Sequence, residues 1–104
     1  MPVKHRHPIA DLFDLLGRRW ALRVVWELRR DALGFADLRR RLGASPSVLA
    51  ERLRDLAAEG IVEQGADRRY RLSSSGRDLS RVLYDLNRWA EVAARAREEV
   101  ILDT

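Results

Sequence analysis

A chain of 104 residues, 46% hydrophobic and 35% charged, is expected to form a single globular domain rather than a disordered segment. It contains no cysteine, which excludes disulfides, thiolate metal sites and thiol redox sensing; no apolar run approaches the ~20 residues of a membrane span and no signal peptide is visible, so a cytoplasmic protein away from membranes is expected. The net charge of +4 rests almost wholly on arginine, with Lys4 the one lysine, and it is uneven: residues 1–43 carry ten basic and five acidic groups, residues 44–72 five of each, and residues 73–104 five basic and six acidic.

Residues 1–7, "MPVKHRH", read as a short basic arm. Pro8 starts a helix, where its missing N–H is of no consequence. Ile9, Leu12, Phe13 and Leu16 share one face at helical spacing, and Gly17 ends the run. A second helix is predicted over about Arg18–Arg30, with Ala21, Val24, Val25 and Leu28 as its core stripe, Trp20 at its head and Trp26 off to one side. "RRDALGF" breaks the pattern and delivers Phe35 in a short strand or extended link. "ADLRRRLG" then gives two turns of helix, Leu38 and Leu42 facing in and Arg39, Arg40 and Arg41 facing out, with Gly43 as the cap.

Ser45 is an N-cap and Pro46 the first residue of the next helix, which runs to Gly60. Two helices so closely joined meet steeply, as a helix-turn-helix. "IVEQ", the turn "GADRR" and "YRLS" make a two-stranded hairpin, and a hairpin directly after a helix-turn-helix is the winged-helix architecture. One of Ser73, Ser74 and Ser75 caps a long last helix. Its stripe of Leu79, Val82, Leu83, Leu86, Trp89, Ala90 and Ala93 is too long for one domain to cover, so its first half is read as core and its second as a seam with a partner subunit.

Within the helix after Ser45, about 100° per residue puts Leu49, Leu53 and Leu56 on the buried face. Ser47, Glu51, Arg54 and Asp55 fall on the far side, with Val48 and Arg52 on its shoulders. In a helix-turn-helix the N-terminal part of the second helix enters the major groove. Ser45, Ser47, Val48, Glu51, Arg52 and Arg54 are therefore the candidates for DNA contact. Serine can donate to phosphate or base, valine can touch a thymine methyl and arginine can fork onto guanine, while Glu51 either accepts from cytosine or orients Arg52 or Arg54. Arg39 and Arg40 on the preceding helix, and Arg68 and Arg69 at the hairpin tip, are candidates for phosphate contact.

The ordered set of motifs from "LLGRRWALRVVWELRRDALGFADLRRRLGASPSVLAERLRDLAAEGIVEQ" through "YRLSSSGRDL" to Trp89 resembles the HxlR family of bacterial winged-helix regulators. The likeness runs from about Ile9 to Ala93. It implies a homodimeric transcription regulator that binds double-stranded DNA. The recognition helix, about 45–59, would lie in the major groove and the wing, about 61–73, on the backbone or minor groove. The expected layout is a single mainly α domain with a small β-hairpin, its winged core spanning 18–73 and its dimerisation segments about 8–17 and 74–101. Ile9, Leu12, Phe13, Leu83, Leu86, Trp89 and Ala93 are the expected interface. The chain departs from the family pattern in lacking the N-terminal sensing cysteine, in its short wing, and in having Gly34 and Gln64 where basic residues are common.

Two other readings stand beside this one. A small apolar or aromatic effector would find Phe13, Trp20, Trp26, Tyr84 and Trp89 as a candidate pocket. A winged-helix protein-interaction module without DNA binding would fit the clipped wing and the reading segment's lack of net charge. An enzyme is not expected: His5 and His7 lack a local metal-ligand set, there is no glycine-rich phosphate loop, neither histidine is placed to serve the serines, and no cofactor is implied.

Overall fold

The computed structural model describes residues 8–102, with side chains described through residue 100. The basic arm with His5 and His7 lies outside these residues. The order of elements is α1 (Pro8–Leu16), α2 (Ala21–Glu27), α3 (Phe35–Leu42), α4 (Pro46–Ala58), β1 (Val62–Gln64), β2 (Tyr70–Leu72) and α5 (Ser74–Leu102). This is a mainly helical winged helix-turn-helix. No helix among the described residues is long and apolar enough to cross a membrane.

Helix α2 is the hub, packing on α1, α3, α4 and α5, and its Ala21, Val24 and Val25 are completely buried. It is shorter at both ends than the apolar spacing predicts. At its start Trp20 adopts a left-handed backbone (φ 74°), so Gly17–Trp20 form an elbow instead of a first turn. At its end Leu28 flattens out (ψ 2°) and the Arg29 N–H donates to the Trp26 carbonyl at 3.2 Å, tightening the last turn. The extended residue of the next link is Leu33 rather than Phe35. Leu33 exchanges backbone hydrogen bonds with Tyr70 at 3.0 and 2.8 Å, which ties the helix-turn-helix to the wing, and Phe35 opens α3.

The sequence signals around α4 act as expected. The Ser45 hydroxyl accepts the Val48 N–H at 3.4 Å, Pro46 follows at the first helical position, and Leu49, Leu53 and Leu56 are buried. At the other end Gly60 (φ 73°) donates to Ala57 at 3.0 Å while Ile61 donates to Leu56 at 2.9 Å. That pair of bonds is the Schellman ending, which requires a left-handed residue and so selects glycine. It also drops Ile61 into the core and launches β1.

The hairpin is antiparallel with Val62 opposite Leu72, Glu63 opposite Arg71 and Gln64 opposite Tyr70. Of the three serines that follow, Ser73 is the cap: its hydroxyl accepts the Gly76 N–H at 3.0 Å and donates to the Gly60 and Ile61 carbonyls. The hydrophobic core takes in Leu83 from the first half of α5, as its apolar stripe predicts, and also Leu15 of α1. Past Leu83 the apolar stripe of α5 leaves the domain, and Leu86, Trp89 and Val92 are exposed.

Candidate nucleic-acid interface

The outward face of α4 presents Ser47, Glu51 and Arg54 to solvent, with Val48 half-buried beside them. Ser45 is also exposed, its hydroxyl engaged in the cap. Arg52 does not stand with this group. Its side chain is only 15% exposed and lies along the flank of α4 toward the elbow before α2. There its Nε donates to the Arg19 carbonyl at 2.8 Å and its Nη1 to Asp55 Oδ2 at 3.2 Å. The same carboxylate oxygen receives Arg18 Nη1 at 2.9 Å. Asp55, placed on the far side by helical spacing, is half-buried for the same reason. Glu51 Oε2 stays 3.8 Å from Arg52. Helical periodicity gives the direction of a Cβ, and a long arginine stem then bends toward whichever carbonyl or carboxylate is nearest.

The arginines divide by their partners. On α5, Arg81 pairs with Asp78 at 3.0 Å, Arg88 with Asp85 at 2.7 Å and Arg95 with Glu91 at 4.0 Å, and Arg97 is exposed without an ion pair among the described residues. On α3, Arg40 pairs with Asp37 at 2.7 Å. Arg39 and Arg41 of α3, Arg54 of α4, and Arg68 and Arg69 of the wing tip form no ion pair among the described residues and are all exposed. The guanidinium groups of Arg19 and Arg23 lie 4.9 and 5.8 Å from the ring of Trp20.

The wing is short but closed. Gly65 donates to the Arg69 carbonyl at 3.0 Å and Arg68 to the Gly65 carbonyl at 2.9 Å. Arg68 takes a left-handed backbone (φ 66°) at the turn. The Asp67 carboxylate accepts the Arg69 N–H at 3.0 Å and the Arg71 guanidinium at 2.9 Å. The Arg69 N–H, with smaller help from the Arg71 and Arg69 charges, holds this carboxyl below its ordinary 3.8. Gln64, which stands where the family often has a basic residue, donates through Nε2 to the Arg68 carbonyl at 3.0 Å. The turn therefore holds Arg68 and Arg69 at the tip with their side chains exposed. "ADRR" carries a legible signal for this, since aspartate in a turn bonds the backbone N–H two residues on. Nothing in the local sequence marks the link from Arg18 to Asp55, which are far apart in the chain.

The aromatic residues considered as an effector pocket do not converge. Trp26 and Tyr84 meet edge-on with centroids 5.3 Å apart, and Arg29 lies 3.9 Å over Trp26. Arg30 beside the Tyr84 phenol lowers its pKa, with Arg29 adding to the effect. Trp20 stands apart under its arginines, and Phe13 and Trp89 are 66% and 67% exposed. The apolar groove near this cluster, about 230 Å3, is lined by Leu22, Trp26, Leu83, Leu86 and Ala90 with Arg23 and Asn87 at its edge, so Trp26 alone of the five faces it. Among the expected interface residues, Ile9, Phe13, Leu86 and Trp89 are exposed, Leu12 and Ala93 are half-buried, and Leu83, 8% exposed, belongs to the domain's own core. Among the described residues no three His, Asp or Glu side chains gather as metal ligands.

The HxlR-like helix-turn-helix family profile matches residues 15–98. The chain is 31% identical to YvaP, an HTH-type transcriptional regulator of Bacillus subtilis, over 74% of this chain and 78% of that one. It is 32% identical to Mb3122, an HTH-type transcriptional regulator of Mycobacterium bovis, over 80% of this chain but only 56% of that longer protein. The solved structure of quinone-bound YodB from B. subtilis superposes with a TM-score of 0.75 at 30% identity, covering 83% of this chain and 98% of that one. With the family profile covering most of its length and a helix-turn-helix, wing and long last helix in the matching order, the chain belongs to the HxlR-like helix-turn-helix family of transcriptional regulators.

Proposed function

We propose that this protein is a homodimeric, sequence-specific DNA-binding regulator working in the cytoplasm. Helix α4 enters the major groove, and the wing lies on the backbone or in the minor groove. The observation that carries this reading is the division of the arginines. Arg39, Arg41, Arg54, Arg68 and Arg69 of the helix-turn-helix and the wing are exposed and form no ion pair among the described residues, while on α5 Arg81, Arg88 and Arg95 are paired and Arg97 is not. Exposed guanidinium groups without a carboxylate to give up are suited to phosphate contact and the release of counterions.

Ser47, Val48, Glu51 and Arg54 form the reading edge, with Ser45 beside the phosphate that the helix N-terminus attracts and Arg40 available once it exchanges Asp37 for phosphate. The dimer joins the exposed apolar residues of α1 and the distal half of α5. Selection of binding sites from random duplexes, followed by a salt titration on the selected site, tests the reading. A palindromic consensus bound with a steep salt dependence is expected, and binding indifferent to both sequence and salt would refute it.

The groove beside Trp26 favours one addition, a small aromatic effector. YodB is described as quinone-bound, and in a chain without cysteine such a molecule would be held by packing alone. Quenching of tryptophan emission by a soluble quinone, abolished by Leu86→Glu, is expected; unchanged emission would remove the effector from the proposal.

A further inference from the structure

Three groups converge on the flank of α4: Arg52 and Asp55 from the helix itself and Arg18 from the elbow before α2. The Asp55 carboxylate oxygen sits between two guanidinium groups, 2.9 Å from Arg18 and 3.2 Å from Arg52, and Arg52 reaches on to the Arg19 carbonyl at 2.8 Å. That carbonyl immediately precedes Trp20, whose left-handed backbone turns the chain into α2. A bulky residue holds such a conformation only where its surroundings over-determine it. Arg52 and Asp55 are 15% and 23% exposed, shielded well beyond an ordinary surface pair.

The inner face of α4 consists of leucines, Leu49, Leu53 and Leu56. Apolar contacts fix how deeply the helix sits, but they are not directional. A carboxylate shared by two guanidiniums, together with a guanidinium bound to a backbone carbonyl, is strongly directional. In some proteins a shielded charged network fixes geometry rather than adding stability.

We infer that Arg52, Asp55 and Arg18 are positioning residues that fix the roll of the recognition helix about its axis, and so decide which side chains reach base edges, without touching DNA themselves. This rests on the reading of α4 as the recognition helix. Arg54, exposed and without an ion pair among the described residues, is the arginine of α4 left to make contact. The clamp also joins α4 to the elbow that follows α1, so the reading helix and the first helix share one anchoring point.

The inference separates from a simple charge effect by sign. Removing a negative charge from a DNA-binding face strengthens binding to every duplex, whereas loosening the clamp weakens binding to the selected site. Fluorescence anisotropy of the full chain, on the selected duplex and on a scrambled one across a salt series, measures both. Asp55→Asn is expected to lower the ratio of specific to non-specific affinity roughly tenfold, about the worth of one misread base pair. Arg52→Lys keeps the charge but cannot serve the carbonyl and the carboxylate together. It should lower the ratio likewise and leave the slope of log affinity against log salt unchanged.

Thermal melts accompany each variant, and if Asp55→Asn does not fold, Arg52→Lys carries the same test. Asp55→Asn binding both duplexes more tightly by the same factor, with the ratio unchanged, would overturn the inference. So would full selectivity in Arg52→Lys combined with a salt slope reduced by about one in Arg52→Gln, the mark of a phosphate contact. A wild-type protein that shows no selective, salt-sensitive binding would instead bring down the DNA-reading function, and the inference with it.

Discussion

Gly76, in the first turn of α5, shows how one residue can hold two elements together. A Cβ built on it would collide with the Ile61 carbonyl and lie 3.2 Å from Leu72 Cβ, so α5 can start against the wing only with glycine here. The motif "YRLSSSGRDL" marks the position through its family resemblance, but the reason is a backbone contact with a residue remote in sequence, which local patterning does not carry. Gly76→Ala should destabilise the protein by about 1–3 kcal/mol, the range for forcing an extra carbon into a filled space, read as a lowered melting temperature. Asp67 gives a prediction in pH. Its carboxyl is held below the ordinary 3.8, first by the Arg69 N–H, so its contribution to the wing turn is complete above that value and is lost as acid carries the pH down through the depressed value. Amide resonances of Arg68 and Arg69 should move in that acidic window and stay put in Asp67→Asn; movement near neutrality would show that another group controls the turn.

Among the elements, those bounded by strong punctuation were the legible ones. Ser45-Pro46 and Gly60 frame α4, and the turn "GADRR" between "IVEQ" and "YRLS" frames the hairpin to within a residue or two. Helix α2 was overestimated because its apolar spacing continues through residues that the left-handed Trp20 and the flattened Leu28 take out of the helix. Periodicity sees neither event, since side-chain spacing carries no information on the backbone angles at these two residues. The face of α4 was legible for its leucines and for Ser47, Glu51 and Arg54, but not for Arg52, whose destination is a carbonyl on another element. The wing, though short, presents Arg68 and Arg69 exposed and without an ion pair among the described residues. Arg68→Gln and Arg69→Gln should each reduce the salt slope of DNA binding by about one while leaving the preferred sequence intact. Arg88→Gln on α5, already matched by Asp85, should leave the slope unchanged.

At the scale of the molecule, the radius of gyration is 16.5 Å, against about 13 Å for a compact chain of 100 residues. The excess comes from α5, whose 29 residues extend about 43 Å at 1.5 Å per residue, well past the core that ends at Leu83. Beyond Leu83 the helix carries Leu86, Trp89 and Val92 into solvent, and α1 adds Ile9 and Phe13. So much large apolar surface on a small domain marks an association face. If the proposed dimer forms through this face, Trp89→Glu should sediment as monomer with the winged core still folded, and a variant that sediments like wild type would remove Trp89 from the interface.

Because α5 is one unbroken rod, its side chains keep phase along its whole length. One residue inserted after Leu83 would rotate every later position by about 100°, turning Leu86, Trp89 and Ala93 off their common line. The five-residue turn between Gln64 and Tyr70 has no such phase to keep, and loops absorb added length at little cost. Among natural variants of this chain, insertions and deletions should therefore gather at the wing tip and spare the last helix, where every residue is counted.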